Sequence, residues 1–191
     1  DKYPVNERIF DAYYMLGDSY YKLGEFNKAI ANLTNALRWN ENEPWTNVAG
    51  YKLAKCYLVL GKAEIAEKIF GKVAGDSTDP EMKSAALMEI AAINIGKSKE
   101  EKALSAYFEI INSVPENKWT DDAYFWMGDA LYKSGNIKRA IKVYTEALGK
   151  FPTGEFSGEM HYNLGWAYLG IGDEEKALEQ LERASYVSDD E

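Results

Sequence analysis

The sequence predicts an all-α fold: a solenoid of about ten antiparallel helices arranged as five helical hairpins. The first observation is an internal repeat, in which a small residue recurs every 37 residues directly after a large apolar one. These pairs are Leu16-Gly17, Leu53-Ala54, Ile90-Ala91, Met127-Gly128 and Leu164-Gly165. The second observation is a helical period on either side of a central turn, and the third is a glycine at most of those turns. Five copies in phase exclude a chance pattern.

The first repeat justifies each element in turn. One face of its first helix carries, at i, i+3, i+4 and i+7, Tyr13, Leu16, Gly17 and Tyr20. A turn follows at Gly24, because glycine reaches positive φ without steric cost. The second helix is indicated by a further apolar face, made of Ala29, Leu33, Ala36 and Leu37. The repeat is therefore a helix, a tight turn and a second helix.

Two columns on the second helix keep the same register. One column is alanine throughout: Ala29, Ala66, Ala103, Ala140 and Ala177. The other, four residues later, is large and apolar: Leu33, Phe70, Tyr107, Tyr144 and Leu181. Small residues on both helices would let them approach closely, and a larger side chain there should overpack the hairpin at a cost of about 1–3 kcal/mol.

The turn column holds one residue that is not glycine. Its members are Gly24, Gly61, Ser98, Gly135 and Gly172. Because Ser98 lacks the freedom of glycine, we expect a modified or slightly strained turn in the third repeat. Asn136 and Asp173 directly follow turn glycines and are expected to cap the helices that come next.

These residues resemble the tetratricopeptide repeat (TPR) family, whose signature is an aromatic residue, Leu-Gly, Tyr, Ala, an aromatic residue, Ala and Pro. In the fourth repeat the matching residues are Tyr124, Met127-Gly128, Leu131, Gly135, Ala140, Tyr144, Ala147 and Pro152. Departures are Gly50 and His161 at the first aromatic position and Asn94 at the tyrosine. The resemblance implies a right-handed superhelix in which residues 1–191 form one TPR array. It also implies that this array is a fragment of a longer protein. Its units span about 10–43, 47–80, 84–117, 121–154 and 158–191.

The length of the repeat indicates which TPR proteins the chain resembles in more detail. The usual TPR unit has about 34 residues, whereas this one has 37. Lengthened units are similar to those of bacterial envelope proteins, including outer-membrane assembly proteins. This resemblance implies a periplasmic or cell-envelope location, with the cytoplasm as the alternative.

Composition excludes most catalytic classes. The chain of 191 residues has one cysteine, Cys56, and one histidine, His161, so an internal disulfide, a cysteine-built metal site and any two-histidine motif are ruled out. The net charge of −9 argues against nucleic-acid binding. We therefore expect no enzyme activity, no catalytic residue, no cofactor and no metal. His161 is expected to pack in the core, and Cys56 to be a small buried residue.

The resemblance also implies a concave face lined by the first helix of each repeat. The position after the first aromatic column holds Tyr14, Tyr51, Met88, Phe125 and Tyr162, and seven residues later come Tyr21, Leu58, Ile95, Tyr132 and Leu169. An aromatic-lined groove for a peptide or partner protein is one interpretation. Its candidate residues are Tyr14, Tyr21, Tyr51, Phe125, Trp126, Asp129, Tyr132, Tyr162 and Trp166. The alternative is helix-to-helix packing between repeats. The balance favours binding in the last two repeats, where Asp129 and Glu159 would suit a basic residue of the partner.

Three functions stay open from the sequence. The leading hypothesis is a scaffold that holds a protein or peptide partner by apolar or aromatic anchors. The second is a structural or oligomerisation module, since Leu178, Leu181 and Tyr186 would lie on an uncapped end of the array that allows self-association. The third is a recognition domain of a longer, enzyme-containing chain. No nucleic acid and no membrane-spanning segment is expected.

Overall fold

The computed structural model describes residues 5–39 and 44–187, which form ten α-helices and no strand. The helices are α1 (Val5–Lys22), α2 (Phe26–Trp39), α3 (Pro44–Val59), α4 (Ala63–Asp76), α5 (Pro80–Gly96), α6 (Glu100–Ser113), α7 (Trp119–Lys133), α8 (Ile137–Lys150), α9 (Ser157–Gly170) and α10 (Glu174–Val187). The chain divides into two compact units, Asp1–Ile93 and Asn94–Glu191. The predicted all-α fold is confirmed, whereas the prediction of one continuous array stays a prediction.

Helical hairpins build each unit. In the first unit α1 packs on α2 and α3 on α4, and in the second α7 packs on α8 and α9 on α10. The second helix of one hairpin also contacts the first helix of the next, as α2 does with α3 and α8 with α9. First helices touch as well, α1 with α3 and α7 with α9. Local sequence thus forms the hairpin, and apolar faces left over on it join the next one.

The turns adopt the left-handed conformation that the sequence predicts. Gly24, Gly61, Gly135 and Gly172 have φ between 72° and 80°. Ser98 has a φ of 54°, so the expected strained turn in the third repeat is confirmed. Its backbone still makes the bonds of the glycine turns: Lys99 N–H donates to the Asn94 carbonyl at 2.8 Å, as Glu25 N–H does to Tyr20 at 2.9 Å. This bond closes the helix end in each case.

Close approach within the hairpins explains the small-residue column. A Cβ added to Gly17 would lie 2.7 Å from Leu33 Cγ, and one added to Gly165 would lie 2.7 Å from Leu181 Cγ. Gly128 meets the ring of Tyr144 in the same way. The five alanines of the second-helix column are completely buried. The predicted close approach of the two helices is therefore confirmed at Gly17, Gly128 and Gly165.

The two predicted helix caps differ. Asp173 Oδ1 accepts a hydrogen bond from the backbone N–H of Lys176 at 3.2 Å, so this cap is confirmed. Asn136 also precedes its helix, but its side chain makes no capping bond. Its amide Nδ2 donates instead to Ser134 Oγ at 3.0 Å. The prediction for Asn136 is wrong because the turn serine engages that side chain.

Candidate peptide-binding surface

A cluster of three aromatic side chains in the second unit forms the centre of the candidate surface. Phe125 of α7 is buried and stacks on Phe156, with ring centroids 4.5 Å apart and planes 6° apart. Trp126 meets Phe125 edge-on at 5.0 Å and Phe156 at 6.3 Å. The Trp126 side chain is nevertheless 41% exposed. Phe125 and Phe156 thus cover one side of the Trp126 indole, and the rest of the indole is exposed to solvent.

Asp121 lies beside the loop that carries Phe156. Its carboxylate lies beside the backbone of Glu155 and Phe156, and burial raises its pKa although those backbone N–H groups act to lower it. A Cβ on Gly154 would overlap the same carboxylate, so only glycine lets the loop come this close. The first turn of α7 therefore lies against the segment before α9, the same segment that carries Phe156 to Phe125.

A second pair of exposed aromatic side chains lies on α9. Tyr162 and Trp166 are one turn apart and make an edge-on contact at 6.2 Å. Both are exposed, Trp166 by 46%, and Leu169 continues the exposed stripe. Since α9 contacts α7, neighbouring helices of this unit each present an exposed tryptophan. Such large, rigid side chains are favoured at the centre of protein interfaces.

Asp129 of α7 lies near the hydroxyl groups of two buried tyrosines, Tyr107 and Tyr144. Asp129 pairs with Lys133 at 2.8 Å and is itself largely covered. Its charge adds to burial in raising the pKa of Tyr107 to about 12. Burial likewise raises the pKa of Tyr144, whose hydroxyl accepts a hydrogen bond from Asn163 Nδ2 at 3.3 Å. Asp129 is therefore engaged by a lysine of its own helix, and Tyr132 beside it is half-buried.

Acidic residues lie close in the chain to Phe125, Trp126 and Phe156. Asp122 lies one turn before Trp126, and burial, then the charges of Glu155 and Asp121, raise the pKa of Asp122. Glu155 and Glu159 are exposed, the latter one turn before Asn163. The aromatic cluster thus lies beside carboxylates, an arrangement that suits a cation close to an aromatic face.

The candidate residues of the first unit make internal aromatic contacts. Tyr14 stacks on Phe10 at 6.0 Å and meets Trp45 of α3 at 6.2 Å. Tyr21 meets Phe26, at the start of α2, edge-on at 6.0 Å. All but Trp45 are buried or half-buried. Tyr14 and Tyr21 therefore pack neighbouring helices against each other, as expected if this row of first-helix aromatic residues serves packing between helices.

Ion pairs occupy the rest of that stripe in the first unit. Lys52 of α3 bonds to Asp18 of α1, and hydrogen bonds from Lys22 and then Lys52 lower the pKa of Asp18. Lys55 and the hydroxyl of Tyr51 both donate to Glu89 Oε1 of α5, at 2.7 and 3.0 Å. Burial and the adjacent Glu89 charge raise the pKa of Tyr51. First helices are therefore cross-linked here by charges that already have partners.

Sequence reasoning missed Phe156, although a signal for it exists. In repeats two to five the same column of the 37-residue register holds Trp45, Met82, Trp119 and Phe156, all large and apolar, whereas the first repeat has Arg8 there. Trp45 contacts Tyr14 and Phe156 contacts Phe125, so the same two columns meet in both units. The 37-residue period reveals this column in the sequence. Its contact with the preceding repeat, however, is visible only in the tertiary structure.

The two residues singled out for their chemistry are buried. His161 lies in the core with Nδ1 2.8 Å from Gln180 Oε1. Cys56 is completely buried, and burial raises the pKa of its thiol to about 11. Both placements confirm the expected packing roles. Across 5–39 and 44–187, no three His, Cys, Asp or Glu residues gather as metal ligands. None of the helices in these ranges is both long and apolar enough to cross a bilayer.

The repeats of this chain match known family profiles. Sequence profiles of the tetratricopeptide repeat match residues 10–43 and 123–190, which together exceed half of the chain. The chain belongs to the tetratricopeptide repeat family. The residues that carried the resemblance at the sequence level, the small column and the alanine column, are those that pack the TPR hairpins described above.

Two curated relatives resemble parts of this TPR chain. A TPR repeat-containing protein of Methanocaldococcus jannaschii is 28% identical over 143 residues, 69% of this chain and 23% of the relative. The photosystem I assembly protein Ycf3 of Acaryochloris marina is 34% identical over 82 residues, 41% of this chain and 49% of the relative. The match thus spans about a quarter of the first relative's length and half of the second's.

Solved structures share the fold over almost the whole chain. A MamA crystal structure aligns with a TM-score of 0.74 at 23% identity, covering 96% of this chain and 93% of the other. YrrB, described as a TPR protein with an unusual peptide-binding site, aligns with a TM-score of 0.67 at 20% identity, covering 93% and 86%. At these identities the likeness establishes the TPR fold.

Proposed function

We propose that this TPR chain is a non-enzymatic scaffold for protein–protein interaction, and that its second unit binds a peptide or partner segment through Trp126 and Trp166. A relative that is an assembly protein and a fold neighbour with a peptide-binding site support interaction in general. The location of the site within the chain rests on the contacts of the first helices.

The observation that carries the proposal is the exposure of two indoles on neighbouring first helices of the second unit, whereas the first helices of the first unit expose Met15 and a single indole, Trp45. In the first unit, Tyr14 and Tyr51 contact other side chains of their own unit, and the charges between them are paired. In the second unit, Trp126 and Trp166 keep 41% and 46% of their surface exposed. Indole rings at helix packing positions would be covered, so the second unit has apolar surface to spare.

The chemistry of the surface defines the partner segment. An apolar or aromatic anchor would cover the exposed indoles and bury area at low entropic cost. A lysine or arginine beside that anchor would face Asp122, Glu155 and Glu159 and could lie over an indole face. The proposed ligand is therefore a short segment with a basic residue next to a large apolar one. Few charges take part, so raising the salt concentration should weaken binding only modestly.

A peptide array tests this proposal directly. Short peptides vary an anchor of Trp, Leu or Phe flanked by Arg, Ala or Glu, and the strongest binder is titrated by fluorescence anisotropy. Trp126→Ala and Trp166→Ala should each weaken binding about thirtyfold, which corresponds to about 2 kcal/mol for a central aromatic anchor. Glu159→Lys should weaken peptides with a basic flank more than those with alanine there.

Trp39 supplies a matched control. It lies on α2, a second helix, and is 45% exposed, close to the two proposed anchors. Trp39→Ala should bind the selected peptide like the parent. If both anchor variants keep their circular dichroism spectra and bind as tightly as Trp39→Ala, the exposed indoles are not the site and the proposal fails.

A further inference from the structure

Gly50 stands in a column of the first helices that every other repeat fills with a larger side chain. The column holds Tyr13, Gly50, Leu87, Tyr124 and His161. Tyr13 is half-buried, and Leu87, Tyr124 and His161 are buried. Gly50 is buried as well. The second repeat therefore has a covered position on α3 that carries no side chain of its own.

An open cavity of about 70 Å³ lies beside Gly50. Ile69 and Val73 of α4 supply apolar walls, and two exposed charged residues of the same helix, Lys72 and Asp76, also line it. Val73 takes up part of the room, because its Cγ2 would lie 3.0 Å from a Cβ on Gly50. A cavity of about 150 Å³ is known to enclose a benzene ring. A ring would therefore enter this smaller, open cavity by one end and leave the rest at its mouth.

The fourth repeat shows which side chain suits this position. The Tyr124 hydroxyl donates a hydrogen bond to Glu146 Oε1 at 2.6 Å and accepts one from Lys150 Nζ at 2.7 Å. In the 37-residue register, Glu146 and Lys150 correspond to Lys72 and Asp76 of the second repeat. The two charges have exchanged places. The second repeat thus keeps one ammonium donor and one carboxylate acceptor, one turn apart, but has no tyrosine between them.

We propose that the cavity beside Gly50 binds a phenol, either a free molecule or the tyrosine side chain of another protein. The ring takes the position of the side chain that Gly50 lacks, while Lys72 donates to the hydroxyl and Asp76 accepts from it. A ligand carboxylate would face Asp76 and a ligand ammonium would face Lys72, whereas a neutral hydroxyl both donates and accepts. The pair of charges therefore favours a neutral aromatic ring that ends in a hydroxyl.

A nuclear magnetic resonance titration of the full chain tests the site with two probes of similar shape. p-Cresol reproduces the tyrosine side chain, and toluene is the same molecule without the hydroxyl. p-Cresol should bind with a dissociation constant on the order of 1 mM and shift the backbone amide signals of Gly50 and Val73. Toluene should bind about three- to tenfold more weakly, because it cannot make the two hydrogen bonds.

Two variants on α4 remove the polar partners of the hydroxyl. Lys72→Met and Asp76→Ala change exposed residues, so the fold should be unaffected. Each should weaken p-cresol binding about three- to tenfold and leave toluene binding unchanged. Lys68→Met is the matched control, since Lys68 is an exposed lysine one turn earlier on the same helix and does not line the cavity. It should bind p-cresol like the parent.

Filling the cavity from within gives the opposite test. Gly50→Tyr combined with Val73→Ala copies the arrangement of Tyr124 and Ala147 in the fourth repeat. This double variant should lose p-cresol binding. It should also melt about 2–4 °C above Val73→Ala alone, because a ring fills the cavity and a glycine inside a helix is removed. Val73→Ala alone enlarges the cavity and should bind p-cresol more tightly than the parent.

Three results would overturn the proposal. One is p-cresol that shifts neither amide signal up to its solubility limit. Another is toluene that binds as tightly as p-cresol, and the third is parent-like p-cresol binding by both Lys72→Met and Asp76→Ala, since either would show that the cavity does not select the hydroxyl.

N-acetyltyrosine amide separates the two sources of the ring. Binding like that of p-cresol assigns the site to a tyrosine of another protein, and exclusion of the amide assigns it to a free phenol. Trp126→Ala, which alters the proposed peptide surface, should bind p-cresol like the parent. A failure of this test therefore leaves the peptide proposal unaffected.

Discussion

Gly128→Ala tests the close packing on which the TPR hairpin of α7 and α8 depends. A Cβ at this position would lie 2.7 Å from Tyr144 Cδ1 and Cζ, and closer still to Cε1. The Tyr144 ring is completely buried and its hydroxyl is held by Asn163, so it cannot swing away. Something must shift, and overpacking at a buried site costs about 3 kcal/mol at the upper end of its usual range.

The magnitude follows from two opposed effects. Alanine is about 1 kcal/mol better than glycine inside a helix, which leaves a net loss of about 2 kcal/mol. For a chain of this length the melting temperature should fall by about 4–8 °C. Two other hairpins carry alanine at this column, Ala54 and Ala91, so the fold should survive and the cost should appear as lost stability.

Gly71→Ala is the matched control. Gly71 lies in the middle of α4, and a Cβ there meets nothing within 4 Å. The same substitution should therefore stabilise the chain by up to about 1 kcal/mol. Both variants are compared with the parent by thermal melts and by urea unfolding followed at 222 nm, with the slope m checked for constancy. A Gly128→Ala variant at least as stable as Gly71→Ala would refute the close approach and with it the register of the columns.

Three shorter predictions concern other features of the chain. Ser98→Gly should raise stability by about 1 kcal/mol because it relieves a positive φ, whereas Gly135→Ala should lose about 1–2 kcal/mol by creating one, as read from melting curves; equal melting temperatures would contradict the strain. Cys56 should resist a thiol reagent at about pH 8 until the chain is unfolded, because burial raises its pKa to about 11; rapid labelling of the folded chain would show an open site. Asp122→Asn should stabilise the chain at neutral pH but not at about pH 3. The folded-state pKa of Asp122 lies above its ordinary value, so the fold prefers the protonated carboxyl, and stability is lost as pH rises through that folded pKa. A variant that melts like the parent at neutral pH would contradict this sign.

The sequence by itself determined the hairpins, their turns and the columns that pack inside them. Each of these features depends on residues close together in the chain. Gly24 and Ser98 occupy one turn position, and the backbone must take the left-handed conformation there whichever residue is present. Gly128 and Tyr144 meet because a tight turn folds one helix back on the other at a fixed spacing. Five copies of the pattern made that spacing readable.

Only the tertiary structure decided which aromatic side chains are exposed. Phe125 and Trp126 are neighbours in the sequence, yet one is buried and the other is open to solvent. The difference arises because Phe156 stacks face to face on Phe125 but meets Trp126 only edge-on. Such contacts join different repeats, so no local period encodes them. The exposed fraction of an indole depends on which side chains from other repeats cover it. The sequence pattern does not specify those neighbours.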